Sequence, residues 1–428
     1  MNIRISISTL ISYLPVVGVL LIVATWPFPY GNVQRIILYF TGIVYIADYT
    51  YNRRWQQWYW DRRKYVYVIF ILFSCLPPIW SIFDPIHTHL LERTLESYSP
   101  FFVIGLCGML GITDKFRMEY MAIVMLVVSV SIIGYLMYCT GLKFDSFVTW
   151  TSSFNKIRAT NINSHMVVNL YWNISIILAI FILSYRRDFH VGARIGIILL
   201  MIPIFFALLI TEGRTGLLTM FVINFVFLIH YYIRHKSQKW ILLLVGAFVV
   251  CTWAILDNNE RIIEARTNRN PRIYIWKVAV EMIKDRPIGG YGVCSARHEF
   301  IKRGLNDTDF RQYYAESYCS SEAVVKHHAS INLMHPHNVL LETWMQFGII
   351  GVLIWIACCI LPWCMRLDEY QLYVDMCVLT FAIQACFESL GTHLQPLYLC
   401  LPVLLYHSQY VAKKGKASHN TTLTAQKS

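Results

Sequence analysis

Charge is what this sequence has least of. Only 14% of its 428 residues are Asp, Glu, Lys or Arg, against 56% hydrophobic and 15% aromatic, and one water-soluble core cannot hide that much apolar surface. A soluble enzyme or adaptor is excluded, and a polytopic membrane protein is expected. An internal repeat, a low-complexity tract and a soluble accessory domain are missing as well. No small-x-small cleavage site follows the first apolar run, "STLISYLPVVGVLLIVATW", which is long enough to span and is read as an uncleaved helix. Of the 12 cysteines, all but Cys294 and Cys319 fall in or beside apolar segments, where a thiol is usually a small buried hydrophobe. Those two share a long connection, which permits a disulfide in an oxidising compartment. The net charge of +12 does not point to nucleic acid, because most of it is a membrane-topology signal in short loops.

What the chain does have is apolar runs of roughly 17 to 25 residues, the length needed to cross a hydrocarbon core, and about twelve of them. They begin near Ile7, Val33, Tyr65, Pro100, Tyr120, Met166, Ala193, Thr215, Trp240, Trp344, Gln371 and Leu394. The fourth, "PFFVIGLCGMLGIT", is short and glycine-containing, and the third carries Pro77 and Pro78, which must kink or end a helix. The expected class is all-α, because lipid offers the backbone no hydrogen-bond partners. With a cytoplasmic N-terminus, the inside loops and termini hold about 19 Lys and Arg and the short outside loops about 6. The remaining 12 lie in one exterior connection, Asp257 to His335, too long for that rule to govern. The predicted organisation is spanning helices one to nine over 1–256, a large exterior loop with an amphipathic helix over 257–335, helices ten to twelve over 336–411, and a cytoplasmic tail over 412–428 that ends in disorder.

Within the loop, "NPRIYIWKVAVEMIKDRPIGGYG" predicts a helix from Pro271 to Ile283, stopped by Pro287 and the glycines 289, 290 and 292. Apolar residues at 273, 276, 280 and 283 predict its buried stripe, laid either on the membrane surface or on the tops of spanning helices. Arg286 follows, beside glycines that let backbone approach a ligand, an arrangement suited to phosphate. The loop also holds acidic residues nearly as numerous as its basic ones, so most of its charges are solvated or paired. "TEGRTG", Thr211 to Gly216, is a tight turn between apolar segments on the same exterior face, where Arg214 either pairs with Glu212 or faces a cavity. "DTD", Asp307 to Asp309, has the look of a transferase metal pair, but an exterior site would not meet a nucleotide sugar.

"HPHN", His335 to Asn338, permits two chemistries. His335 and His337 offer two imidazole nitrogens to zinc, yet no carboxylate or cysteine stands at a spacing that completes the set, and no metal site is expected. For acid-base work, Pro336 suits the first helical position, which places His337 in the first turn as a neutral ring able to take a proton. The plain alternative is an interfacial histidine capping a helix. Glu342 lies about 140° round an ideal helix from His337 and is no obvious partner for it.

In order and spacing these features resemble the bacterial O-antigen ligases, a family grouped with the O-antigen polymerases. The resemblance rests on about twelve spanning segments, an exterior turn with "GRTG", the "RIYIWKVAVEMIKDRPIGGYG" tract, and "HPHNVLLETWMQFGIIG" entering a late helix. His337, Asn338, Leu341, Glu342, Gly348 and Gly351 form a pattern common to the whole superfamily, so a polymerase is the alternative within it. A lipid-linked glycan transporter is the non-enzyme alternative, although charge here gathers on one face rather than at mid-membrane. The resemblance implies a C-type membrane glycosyltransferase of the bacterial inner membrane, its site facing the periplasm, with no cofactor and no metal. It implies inverting transfer of O-antigen from undecaprenyl pyrophosphate to a sugar hydroxyl of lipid A-core. Carried over by motif, the family's catalytic positions fall on Arg214, Arg286 and His337, with Arg272, Asn338 and His335 as substrate-binding neighbours.

Overall fold

The computed structural model describes residues 7–28, 31–58, 60, 64–84, 86, 89–111, 115–139, 165–185, 189–210, 214–234, 271–312, 335–365 and 371–387. The helices among them are α1 (Ile7–Thr25), α2 (Gly31–Tyr51), α3 (Tyr65–Ser81), α4 (His89–Leu110), α5 (Met118–Cys139), α6 (His165–Tyr185), α7 (Val191–Ile210), α8 (Arg214–Arg234), α9 (Pro271–Asp285), α10 (Val293–Asn306), α11 (Val339–Ile360) and α12 (Gln371–Ala385). Six of these, α1, α5, α6, α7, α8 and α11, are long and apolar enough to cross a membrane, and α3, α12 and the Thr94–Leu110 part of α4 are shorter apolar helices. The protein is an all-α polytopic membrane protein, the class its composition demands. The segments expected near Trp240 and Leu394 lie outside the described residues.

Burial ranks the helices. In α6, 89% of the Val167–Ser184 span is buried, against 22% for Val191–Leu209 in α7, so α6 is the hub, in contact with α5, α7, α8 and α12. Phe181 in the second half of α6 meets Tyr373 at the start of α12, ring centroids 5.2 Å apart. The two helices therefore run antiparallel, and the end of α12 lies beside the start of α6.

One expectation changes in detail and another holds. α4 begins at His89 rather than near Pro100, because Glu96 pairs with Arg35 of α2 and lets a charged turn extend above the apolar run. Its glycines bring α3 close: a Cβ on Gly108 would stand 2.2 Å from the Tyr67 ring. In α3, Pro77 and Pro78 sit in the last turn before the helix ends at Ser81.

α9 and α10 build a second core against α11 from Ile275, Val278, Ala279, Met282, Ala296, Phe300, Phe310 and Met345. α9 starts at the predicted proline, and its buried stripe runs through 275, 278, 279, 282 and 283, so that of the predicted positions Ile283 is buried and Trp276 packs on the same core, while Ile273 and Val280 are exposed. The helix carries two apolar faces. The face that met Phe300 and Met345 is buried, and each such side chain gains roughly 1.5 to 3 kcal/mol on leaving water.

Candidate functional site

α11 starts at Val339, and its N-cap is Asn338, in extended conformation, whose side-chain oxygen accepts the Leu341 N–H at 3.0 Å. The amide's other end donates to the Cys386 carbonyl at 2.9 Å, tying the start of α11 to the chain just beyond α12. Pro336 is thus not the first helical residue, and His337 stands outside the first turn, a correction that follows from the amide being the better cap. The Pro336 carbonyl instead accepts the Trp276 indole N–H at 2.9 Å, fixing this entry against α9. His337 takes a left-handed backbone, φ 51°, a conformation costly for any residue with a Cβ. Its ring lies edge-on to that of His335, centroids 4.1 Å apart and planes 69° apart.

Burial, then the neighbouring His337, Arg297 and Arg272, push the His335 imidazole down to about 3, so it is uncharged at neutral pH. Among the described residues its Nδ1 is buried without a hydrogen-bond partner. Arg272 sits one turn before Trp276 on α9, which brings it to the histidines. Arg297 arrives from α10 and was not singled out in the sequence. It lies in "ARHEFIKRG", which reads as an ordinary solvated face; only the packing of α10 on α9 and α11 reveals its place.

Further along, α11 is broken. Gly348 adopts φ 64°, ψ −160°, inside the helix. The segment after α9 fills the break: Tyr291 N–H donates to the Met345 carbonyl (2.8 Å), Gly292 N–H to that of Gln346 (2.9 Å), and Ile349 N–H to that of Pro287 (3.0 Å). In an unbroken helix the Ile349 N–H would donate to the Met345 carbonyl itself; here each finds its partner in the loop. A Cβ on Gly348 would stand 1.9 Å from the Ile288 carbonyl oxygen. The glycines of "PIGGYG", expected to approach a ligand, therefore approach α11. Trp80 of α3 and Trp344 of α11 pin the same segment, donating to the carbonyls of Gly289 (2.7 Å) and Pro287 (2.9 Å). Buried Asp84 holds the start of α10, accepting from the N–H groups of Cys294 (2.8 Å) and Ser295 (3.2 Å) and from the Ser295 hydroxyl (2.6 Å).

Arg286 is exposed at this far end, its guanidinium 4.6 Å from the centre of the Tyr291 ring. Arg272 and Arg286 stand at opposite ends of α9, roughly 20 Å of helix axis apart at 1.5 Å per residue, and of the two it is Arg272 that acts on the His335 ring. Arg214 begins α8, and its side chain lies outside the described set. Its backbone can be placed: two residues on, in the same turn, the Gly216 carbonyl accepts from Asn173 midway along α6 (3.0 Å), and a Cβ on Gly216 would stand 2.5 Å from Asn169. The pairing with Glu212 cannot be followed, since 211–213 are outside the described residues, as is Cys319; Cys294 is buried. "DTD" is an ion-pair and turn element: Asp307 and Asp309 hold Lys277 at 3.3 and 2.8 Å, and Asp307 accepts the Phe310 N–H at 2.8 Å.

Residues 197–356 match the family model described as O-antigen ligase, a span that takes in both sides of the break in α11 and the two histidines. Two curated proteins named "Putative polysaccharide ligase" are similar over 101 residues, 24% of this chain and 21% of each relative: one from Rickettsia conorii at 27% identity and one from Rickettsia felis at 26%. The chain thus aligns with about a fifth of the length of these relatives.

Proposed function

We propose, on the strength of the match of residues 197–356 to the O-antigen ligase family model, that the chain is a membrane glycosyltransferase that transfers O-antigen polysaccharide from undecaprenyl pyrophosphate to a sugar hydroxyl of lipid A-core, at the periplasmic face of the bacterial inner membrane. The observation that carries the reading is the histidine pair, held outside a helix start with an arginine on the neighbouring helix and His335 kept uncharged.

His337 takes the proton of the acceptor hydroxyl. The hydroxyl oxygen bonds to the anomeric carbon as the bond from that carbon to the pyrophosphate oxygen breaks, the electron pair leaving with the phosphate. Attack opposite the leaving group inverts the centre. His335, uncharged beside it, spares His337 the repulsion that a second imidazolium would add once it holds the proton. Arg272 and Arg214 supply positive charge for the departing pyrophosphate. A guanidinium stays protonated and cannot be the base. Asn338, with both ends of its amide engaged, positions His337 rather than touching substrate.

The test is purified protein with undecaprenyl-pyrophosphate glycan and lipid A-core, with and without chelator. The joined lipid is expected in both. A lengthened lipid-linked glycan instead would favour the polymerase, no new product from competent substrates would favour a transporter, and loss with chelator would bring a metal into the chemistry.

A further inference from the structure

We propose that Gln384, in the last turn of α12, is a further substrate-binding residue, its side-chain N–H kept for a phosphate oxygen of the lipid-linked donor. The proposal rests on the ligase reading for the identity of that donor, and it adds a residue outside the sequence motifs. What carries it is an unused hydrogen-bond donor. Gln384 is 5% exposed, and among the described residues its Nε2 is buried without a hydrogen-bond partner. An unpaired buried donor costs stability that an apolar side chain of the same shape would not, and native proteins keep few of them.

The polar side chains around it are committed to the protein. Thr380, one turn earlier in α12, donates to the Met376 carbonyl (2.7 Å). Gln371, at the start of the helix, donates to the Pro362 carbonyl (3.0 Å) and to Asp375 (2.5 Å). Asn173 of α6 donates to the carbonyls of Asn169 (2.9 Å) and Gly216 (3.0 Å), and Asn338 has both ends of its amide engaged. Of these carboxamides, only that of Gln384 donates to nothing among the described residues.

Its place in the bundle says what the donor is for. Tyr373 turns toward Phe181 of α6, and Gln384, three turns on, comes round to within about 20° of the same side of α12. Counting roughly 16 Å along α12 and back along α6 from that ring pair, at 1.5 Å per residue, puts Gln384 opposite Leu170. Gly216 packs against Asn169, the neighbour of Leu170, so the first turn of α8, which Arg214 begins, lies at about this level. α12 touches α8 as well as α6. Two residues beyond Gln384, the Cys386 carbonyl takes the Asn338 amide (2.9 Å), and His337 precedes Asn338 in the chain. The unused N–H therefore sits at the level of the start of α8 and of the entry to α11. A neutral donor suits that position. The first turn of α8 already brings the positive end of a helix dipole, and a carboxamide adds a directed bond to a phosphate oxygen without another charge to desolvate. That bond strengthens as the departing pyrophosphate takes up charge.

The experiment measures stability and binding on the full-length protein in detergent, with Gln384 replaced by methionine, which keeps the length and loses the donor, and by glutamate. The Gln384→Met protein should unfold at the wild-type midpoint or above it, because no hydrogen bond is lost. Its Kd for undecaprenyl pyrophosphate should rise about tenfold or more, while that for undecaprenol, which has the tail and no phosphate, stays unchanged. In Gln384→Glu the loss relative to wild type should shrink as pH falls, because a protonated carboxyl donates again. A Gln384→Met protein that unfolds earlier, or does not fold, shows that the amide holds the structure and overturns the proposal. Unchanged affinity for the pyrophosphate lipid, equal losses for both lipids, or a glutamate variant indifferent to pH overturn it too, even in an active ligase. Pyrophosphate-lipid binding that falls in Gln384→Met, in a protein whose wild type makes no joined lipid, keeps the residue and removes the ligase reading.

Discussion

Replacing His337 by glycine and, separately, by alanine isolates the backbone from the imidazole. At φ 51° a residue with a Cβ carries a penalty of roughly 1 to 2 kcal/mol, which glycine escapes, while glycine's unfolded chain is freer by about 0.4 to 1 kcal/mol. The glycine variant should therefore exceed the alanine variant in stability by about 1 kcal/mol. In a chain of this size that is on the order of 2 °C in the unfolding midpoint. Both variants lose the ring and all its contacts, so that contribution cancels between them. Both should lose turnover by about 10² to 10⁴, the usual worth of a positioned general base. Thermal unfolding in one detergent and single-turnover formation of the joined lipid measure the two effects independently. An alanine variant as stable as the glycine variant would refute the left-handed backbone. Turnover within a few-fold of wild type in either would refute the proton transfer, whatever happened to stability.

Gly348→Ala should cost several kcal/mol, since its Cβ cannot coexist with the Ile288 carbonyl and up to three interlocking hydrogen bonds are lost; unchanged hydrogen-exchange protection at the Tyr291 and Gly292 amides would sink the interlock. Asn338→Ala should lose about 1 kcal/mol with the cap, and Asn338→Asp should recover only part of it, because aspartate restores the oxygen toward Leu341 but not the donor to Cys386; equal stability of all three proteins would contradict that geometry. His335 is neutral when folded down to about 3, whereas the unfolded ring binds a proton below about 6.5. Its contribution is therefore complete above pH 6.5 and declines as pH falls toward 3, by up to about 1.4 kcal/mol per pH unit; His335→Gln should flatten that slope, and identical slopes would show that the ring is not buried. Asp84→Asn should cost about 1.5 to 3 kcal/mol by offering one acceptor oxygen where two gather charge-assisted bonds, and an unshifted unfolding midpoint would count against Asp84 as the anchor of α10.

The ends of α9 were legible because Pro271 and the Pro287–Gly292 stretch act through local backbone geometry. Its buried face was legible only in part, at Trp276 and Ile283, since 273/276/280 and 275/279/282 are both apolar series and the choice between them belongs to Phe300 and Met345. His335 and His337 declare themselves by adjacency. Arg297 could not, as its closeness to them depends on how three helices pack. α4 was misjudged at its start for the same reason: the partner of Glu96 is Arg35, on another helix. The glycines of "PIGGYG" signalled a close backbone approach, as they should, but a single sequence does not say to what.

The break at Gly348 means that α11 and the segment after α9 complete one another's backbone. In the first half of an apolar helix long enough to span, the Met345 and Gln346 carbonyls and the Ile349 N–H depend on chain from 287 to 292 for bonds that lipid cannot supply. Connecting loops are usually the part of a membrane protein that can be exchanged or shortened without harm. This one is not separable in that way: a chimera that takes its loop from one relative and its α11 from another would leave backbone polar groups of α11 without their partners. The two stretches can be transplanted together, and any variation in one is constrained by the other.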